Sequence, residues 1–240
     1  MTFEAFTWAH GWGIAMAAAM AVGILAGSRR LRAARADRVA RTMLAAMLVG
    51  SELSLYVWYT LTDNWGLHSL PFQLCSMMVW ASAALLVTRS RRLYDIAFFL
   101  GLLGALQALL TPDLDAAVYS FRYFHFFMAH GAIIAAGIYM TAVAGWRPTA
   151  SSAFKALGWL NVLAVPAAIT NAIAGTNFMF LARKPSSGSL LDLLSPWPWY
   201  VLELEVVALL MCFALFGLVV SIDALRGRWN RLTPIHGGRS

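Results

Sequence analysis

The sequence predicts an all-α fold, a polytopic membrane bundle of seven transmembrane helices. Of its 240 residues, 60% are hydrophobic and only 12% are charged, and the mean hydropathy is +0.68. Apolar runs of about 20 residues, the length that crosses the hydrocarbon core of a bilayer, recur along the chain. Soluble domains carry about twice this share of charged residues, so that class is excluded.

The predicted spans lie at about 8–27, 42–62, 71–88, 93–111, 122–145, 156–175 and 198–222. Their connections are short, except for the stretch 176–197 between the sixth and seventh spans. No glycine- and serine-rich linker interrupts the series. Residues 1–240 are therefore predicted to form a single integral membrane domain.

The positions of the basic residues predict how the bundle is oriented. Fifteen of the 18 Lys and Arg lie in the segments 28–41, 89–92, 146–155 and 223–240. The positive-inside rule makes these segments cytoplasmic, so the N-terminus lies outside and the C-terminus inside. Topology thus accounts for the net charge of +7, and we expect no nucleic-acid partner. The arginine-rich segment 29–41 can also attract anionic lipid headgroups.

No Lys or Arg precedes the first span, so we expect no cleavable signal peptide with a basic start.

The third span carries the best candidate nucleophile, Cys75. Ser69 is a good N-cap and Pro71 suits a first helical turn, so the helix is predicted to begin there and to place Cys75 about one turn inside the membrane. The alternative is that Cys75 is a small buried hydrophobe, as free cysteines often are. Cys212 lies in the seventh span, and two free thiols are expected because the two positions match no disulfide framework.

Polar residues inside the apolar spans concentrate at one level, the predicted outer half of the bundle. They are Glu52 on span two, Gln73, Cys75 and Ser76 on span three, Gln107 on span four, His125 and His130 on span five, Asn171 on span six, and Glu203 and Glu205 on span seven. Each is costly in hydrocarbon and tends to face a cavity or a partner. We therefore expect a polar cavity there. Gln73, Gln107 and Asn171 have the alternative of ordinary interhelical hydrogen bonds.

Helical geometry separates some members of this set. Glu203 and Glu205 differ by about 200° around a helix, so they cannot both face one cavity. His125 and His130 differ by about 140°, which argues against a two-histidine metal clamp, and the deeper His130 is the better candidate base. A zinc hydrolase would need about three clustered ligands. We therefore predict neither a metal site nor a cofactor.

The long connection 176–197 is the only one with room to fold over such a cavity. Its first part, Thr176–Leu181, is too apolar for a solvated loop, so we expect it to enter the membrane interface. Arg183 and Lys184 would then meet lipid phosphate. The alternative is an aromatic belt of Trp197, Trp199 and Tyr200 beside snorkelling cations.

Three segments in order resemble a known family. They are Leu70-Pro71-Phe72-Gln73-Leu74-Cys75-Ser76, then Gly175-Thr176-Asn177-Phe178-Met179-Phe180-Leu181 with Lys184-Pro185, then Pro196-Trp197-Pro198-Trp199-Tyr200. They resemble the YwaF-like bacterial integral membrane proteins, whose eukaryotic relatives are the transmembrane protein 164 group. Ser195 stands where glycine would be expected before the last segment. The resemblance covers about residues 45–222 and implies a multi-pass protein of the bacterial cytoplasmic (inner) membrane.

From the eukaryotic group, the resemblance implies phospholipid acyl transfer through a cysteine nucleophile and a histidine, roles that fall on Cys75 and His130. A thioester on Cys75 would pass the acyl group to a lysolipid. Glu52 or Glu203 would orient the imidazole. Asn177, Gln73 or backbone N–H groups would hold the oxyanion. We expect sulfur and an imidazole nitrogen within about 4 Å, or bridged by water.

The rival hypothesis is a transporter or binding protein that takes an ion, a proton or a small amphiphile into the same cavity. The chain shows no two-fold internal repeat, a feature common in transporters. A retinal protein is excluded because span seven contains no lysine. The partners expected are membrane phospholipids, and the oligomeric state is left open.

Overall fold

The computed structural model of the chain describes residues 2–185 and 188–232, and seven long helices dominate it. They are α1 Trp8–Leu31, α2 Ala34–Leu61, α3 Leu74–Thr88, α4 Arg91–Leu110, α5 Phe121–Ala142, α6 Ala150–Ala174 and α7 Trp199–Leu232. Short 3-10 turns lie at Leu67–Ser69, Phe178–Phe180 and Leu190–Leu193. The described residues thus contain seven helices long and apolar enough to cross a membrane, which confirms the predicted fold class.

Helix α5 is the centre of the bundle and packs against α1, α2, α3 and α4. Its small residues permit this close approach. A Cβ added at Gly131 would lie only 2.8 Å from the Cα of Ala17 on α1, and one added at Gly13 would meet the ring of Phe127. Small residues on each helix therefore admit the backbone or the bulky side chains of the other.

Helices α6 and α7 lie at the periphery, where α7 packs mainly on α6 and α6 also contacts α4. In the most apolar 18-residue stretch of α7, only 6% of the residues are buried within the protein, against 67% in that of α5. An apolar helix surface of this kind belongs against lipid tails, because water would make it an aggregation site.

Two helices extend well beyond the predicted spans. Helix α2 begins at Ala34 rather than near 42, and α7 continues to Leu232 rather than ending near 222. Their hydrophobic runs mark only the part that lies in hydrocarbon, whereas the helices continue into the headgroup region. In α2 an Asp37–Arg41 pair one turn apart, at 3.1 Å, supports the polar extension.

Helix α3 begins later than predicted, at Leu74 with Gln73 as its N-cap residue. Ser69 does not cap it, because Ser69 accepts the backbone N–H of Gly66 at 3.3 Å and closes the preceding 3-10 turn. Leu70 is extended, the conformation favoured before proline. Cys75 is consequently the second residue of the helix. The predicted start of the helix near Ser69 was wrong, whereas the depth of Cys75 in the membrane stays a prediction.

The orientation of the bundle stays a prediction and has a direct test. A reporter fused after Gly227 should be cytoplasmic, because α7 carries the chain inward. One inserted near Ser187, which lies outside the described residues, should be external. A fusion after Thr111, between α4 and α5, is the control and should also be external. Reporters after Gly227 and near Ser187 on the same side would contradict the seven-span topology.

Candidate functional site

The first turn of α3 offers backbone donors around Cys75. The chain enters this helix from an extended Gln73 with no side-chain cap. Within the described residues, no acceptor receives the backbone N–H of Leu74, Cys75 or Ser76, whereas the next N–H, of Met77, bonds the Gln73 carbonyl at 3.2 Å. Free amides and the helix dipole together favour negative charge at this end.

Glu52 of α2 lies beside this turn and is only 2% exposed. The hydroxyl of Tyr56, one turn later on α2, donates to its Oε1 at 3.1 Å. The Ser76 side chain and the Cys75 thiol both lie within electrostatic reach of the same carboxyl group. None of the ion pairs among the described residues includes Glu52.

His130 of α5 is also buried, at 9% exposed. Its Nδ1 lies 2.7 Å from the carbonyl oxygen of Phe126. A carbonyl oxygen only accepts, so Nδ1 bears the proton and the neutral ring has its lone pair on Nε2. None of the hydrogen bonds among the described residues joins His130 to Cys75. The pairing of these two residues therefore stays a prediction.

His125 lies on α5 as well, one turn after the start of the helix and before His130. Its imidazole packs on the ring of Phe121 at 5.6 Å and lies near the backbone of Ser51 on α2. Its Nε2 is buried without a hydrogen-bond partner in the described part of the chain. An orphan nitrogen of this kind is unusual and is a candidate contact for a bound polar group.

The candidate site therefore has two polar parts on neighbouring helices: Glu52, Tyr56, Cys75 and Ser76 where α2 meets α3, and His125 and His130 on α5. These helices pack directly on one another. Two open cavities of about 410 and 300 Å³ lie elsewhere, and neither is lined by these residues. The cavity predicted around Cys75 thus stays a prediction. Across the described residues, no three or more His, Cys, Asp or Glu are grouped to hold a metal.

Two predicted site residues instead organise the connection between α6 and α7. Asn171, 6% exposed, binds both backbone groups of Phe178, accepting its N–H at 2.7 Å and donating to its carbonyl at 3.0 Å. It also accepts the Thr176 hydroxyl at 2.9 Å. Asn177 binds the backbone of Ala182 and Arg183. The side-chain amides of Asn171 and Asn177 are therefore both hydrogen-bonded to residues of the 176–197 connection.

Gln73 links this loop to the nucleophile helix. Its Oε1 accepts the backbone N–H of Met179 at 3.0 Å, and the rings of Phe72 and Phe178 meet edge to face at 5.6 Å. The apolar part of the connection therefore lies against the start of α3. This is the loop that the sequence predicts to fold over the site.

The two cations of the connection differ in their surroundings. The Lys184 amino group donates to the carbonyl of Leu194 at 2.7 Å and lies 5.7 Å from the centre of the Tyr200 ring. The Tyr200 hydroxyl in turn donates to the Phe180 carbonyl. Arg183 is exposed, and its contact with lipid phosphate stays a prediction.

The remaining predicted residues have local partners. Glu203 accepts the backbone N–H of Ser195 at 2.8 Å and its hydroxyl at 2.5 Å, so it binds this serine rather than an imidazole. Glu205 accepts the amide of Asn161 on α6 at 2.9 Å, and the two carboxylates face different partners as their angular separation requires. The side-chain amide of Gln107 donates to the hydroxyl of Thr111 at 3.1 Å, at the end of its own helix.

Sequence reasoning missed Tyr56 and Trp80, which complete the polar cluster. The Tyr56 hydroxyl donates to Glu52 and lies near the Trp80 side chain of α3. Each lies one helical turn after a selected residue, Glu52 or Ser76. That i, i+4 spacing was the available signal.

The buried Glu52 permits a stability prediction. Glu52→Ala should leave the Tyr56 hydroxyl without its acceptor and open a void, lowering the free energy of unfolding by about 2–4 kcal/mol. Glu52→Gln keeps an acceptor oxygen and should cost clearly less. Thermal unfolding of the purified protein in detergent measures both.

Glu205→Ala is the matched control, because Glu205 lies on the peripheral α6–α7 pair, and it should change the melting temperature little. Equal losses for Glu52→Ala and Glu205→Ala would mean that the Glu52 contacts do not stabilise the bundle.

The fold defines a seven-helix integral membrane protein in which Glu52 and Tyr56 of α2 lie close to Cys75 and Ser76 of α3. The chain belongs to the TMEM164 family, because the model of that family matches residues 5–216. The resemblance to this family is thus confirmed, whereas its bacterial, YwaF-like label stays a prediction. No curated protein and no solved structure matches the chain.

Proposed function

We propose that this protein is a membrane-embedded acyltransferase that moves acyl chains between phospholipids through a thioester on Cys75. One observation carries the proposal: Cys75 is the second residue of α3, where three backbone N–H groups have no acceptor among the described residues. A nucleophile and an oxyanion site need to lie this close together for acyl transfer. Membership of the TMEM164 family is consistent with the assignment.

In the first half-reaction, Nε2 of His130 takes the proton of the Cys75 thiol, and sulfur attacks the ester carbonyl of a donor phospholipid. The tetrahedral oxyanion is stabilised by the free N–H groups at the start of α3. When the carbon–oxygen bond breaks, the lysolipid oxygen takes the proton back from Nε2. The products are a lysolipid and an acyl thioester on Cys75.

In the second half-reaction, the hydroxyl of an acceptor lysolipid gives its proton to Nε2 and its oxygen attacks the thioester carbonyl. The carbon–sulfur bond breaks and the thiolate recovers the proton from Nε2. One ester bond has been exchanged for another, so no external energy source is required.

The tautomer of His130 fits this role, since its bond to Phe126 leaves Nε2 free to accept a proton. The proposal requires Nε2 to reach the thiol, directly or through a bridging water, in the substrate complex. Such contacts often tighten only when substrate binds.

The donor would be a phospholipid rather than cytoplasmic acyl-CoA if the Cys75 end of the bundle faces outward, as the positive-inside rule predicts. Lipids reach such a site from within the bilayer.

The test is the intact mass of the protein after incubation with dioleoyl phosphatidylethanolamine. We expect an added oleoyl group that hydroxylamine removes, because thioesters are cleaved under conditions that leave amides intact. The Cys212→Ala variant is the control and should carry the same adduct, and Cys75→Ala should carry none. An adduct that persists in Cys75→Ala, or no adduct in the wild type, would contradict the proposal. Lipid or ion binding unaffected by Cys75→Ser would then favour the binding or transport hypothesis.

A further inference from the structure

The end of the bundle opposite Cys75 contains an open cavity of about 410 Å³ between the start of α2 and the ends of α3 and α5. It is lined by Arg32, Ala34, Asp37, Arg38, Arg41, Arg89, Val143 and Ala144. Cys75 and Arg89 are 14 residues apart, which is about 21 Å along a helix. The cavity is therefore separate from the acyl-transfer site.

Charge in this cavity is strongly unbalanced. Four guanidinium groups line it with one carboxylate, that of Asp37. This carboxylate is already engaged by Arg41 at 3.1 Å, by Arg89 at 3.9 Å and by the hydroxyl of Tyr139 at 2.9 Å. The four guanidinium groups and one carboxylate give the lining a net charge of about +3.

Two of the four arginines also bond neutral backbone carbonyls, which do not balance their charge. Arg32 donates to the carbonyl of Ala142 at 3.0 Å, and Arg41 donates to that of Leu86 at 2.5 Å. The Arg38 side chain makes no hydrogen bond or ion pair with any other described residue. Guanidinium groups fixed in this way are prepared for a further anion.

The start of α2 brings backbone donors to the edge of the same cavity. Helix α2 begins at Ala34, a lining residue, and has no side-chain cap. The backbone N–H groups of Ala34, Arg35 and Ala36 bond no acceptor in the described residues, whereas that of Asp37 bonds the Ala33 carbonyl at 2.8 Å. The positive end of a 28-residue helix therefore opens into a cavity already lined by arginines.

We propose that this cavity is a binding site for a phosphate group. A phosphate accepts bidentate hydrogen bonds from guanidinium and single bonds from helix N-terminal amides, the two donor types present here. The volume equals that of roughly a dozen waters, enough for a phosphate and part of the group it is attached to. The cavity lies at the ends of three spanning helices, where lipid headgroups and dissolved compounds can both reach it. The phosphate therefore belongs either to an anionic lipid headgroup or to a free phosphate compound.

The test uses the full-length protein in an uncharged detergent and follows thermal unfolding. Dioleoyl phosphatidylglycerol is compared with dioleoyl phosphatidylcholine, and inorganic phosphate with chloride at equal ionic strength. Stabilisation by phosphatidylglycerol alone identifies a lipid headgroup as the source. Stabilisation by inorganic phosphate as well identifies a free phosphate.

Arg38→Gln is the informative variant, because its side chain has no structural contact to lose. We expect the concentration for half-maximal stabilisation to rise roughly tenfold in Arg38→Gln and further in the Arg32→Gln, Arg38→Gln pair. The control pair Arg29→Gln, Arg30→Gln removes two exposed charges from the end of α1 outside the cavity and should keep the wild-type response. An equal loss in the control pair, or no stabilisation of the wild type by either probe, would overturn the site. The Cys75→Ala variant should respond normally, so the result is independent of the acyl-transfer proposal.

Discussion

Replacing Cys75 with alanine should abolish acyl transfer between phospholipids, and replacing His130 with alanine should slow it by about 10²–10⁴-fold, the usual contribution of a positioned base. In the Cys75→Ala background, His130→Ala should cost almost nothing more. Residues that act as one catalytic unit fail together, so their effects do not add. The measurement is transfer of a labelled oleoyl chain from phosphatidylethanolamine to an added lysophospholipid.

The control for this series is Cys212→Ala, which removes the other thiol, buried on α7. It should retain near-wild-type transfer. His125→Ala separates the two histidines, since it leaves in place the Nδ1–carbonyl bond that orients His130. Full activity in His130→Ala would remove it as the base, and additive losses in the double variant would show that the two residues act independently.

Asn171→Ala should be the most destabilising polar substitution in the chain. It would leave the N–H and carbonyl of Phe178 and the hydroxyl of Thr176 without partners next to a buried ring. Each unsatisfied buried group costs about 1–3 kcal/mol, so we expect a loss of about 3 kcal/mol or more in unfolding free energy. Thermal unfolding in detergent, with limited proteolysis of the 176–197 connection, measures this loss.

Asn161→Ala is the matched control. Asn161 is exposed on α6 and bonds Glu205 and its own helix, so its replacement should cost less than about 1 kcal/mol. If Asn161→Ala and Asn171→Ala lowered the melting temperature equally, the loop would not depend on the Asn171 bonds. An intact, protease-resistant connection in Asn171→Ala would lead to the same conclusion.

The two ends of the bundle offer different chemistry. A cysteine, a carboxyl group and free backbone amides lie together at one end, whereas arginines and a second uncapped helix start lie at the other. In both places a helix begins without a side-chain cap, at Gln73 and at Ala33. Uncapped helix starts expose donors, and neighbouring side chains decide what those donors bind.

Some of the site was predictable because burial of polar groups in hydrocarbon is so costly. Glu52, Cys75 and Ser76 were selected on that ground, and the structure brings them together. The same argument also selected Asn171 and Glu203. Hydrogen bonds to the loop backbone and to Ser195, respectively, offset the desolvation cost of these two side chains. A polar residue in a span needs a partner, but the sequence does not say whether that partner is a substrate or the chain itself.

The start of α3 was misplaced for a related reason. Ser69 has the chemistry of an N-cap, but its oxygen is used one turn earlier by Gly66. The helix then starts at Leu74, and Gln73 is drawn to Met179, 106 residues later. Competition from a distant segment is invisible to local sequence rules.

The sequence by itself determined that this chain is a seven-helix membrane protein, because a bilayer imposes a length and an apolarity that each spanning helix must meet alone. It also determined which residues pay a high desolvation cost. Only the tertiary structure decided how those residues are grouped: α5 at the centre, Glu52 beside Cys75, Asn171 inside the loop, and four arginines around the start of α2. Helix packing brings together residues distant in sequence, and lipid, unlike water, gives little preference for one apolar helix face over another.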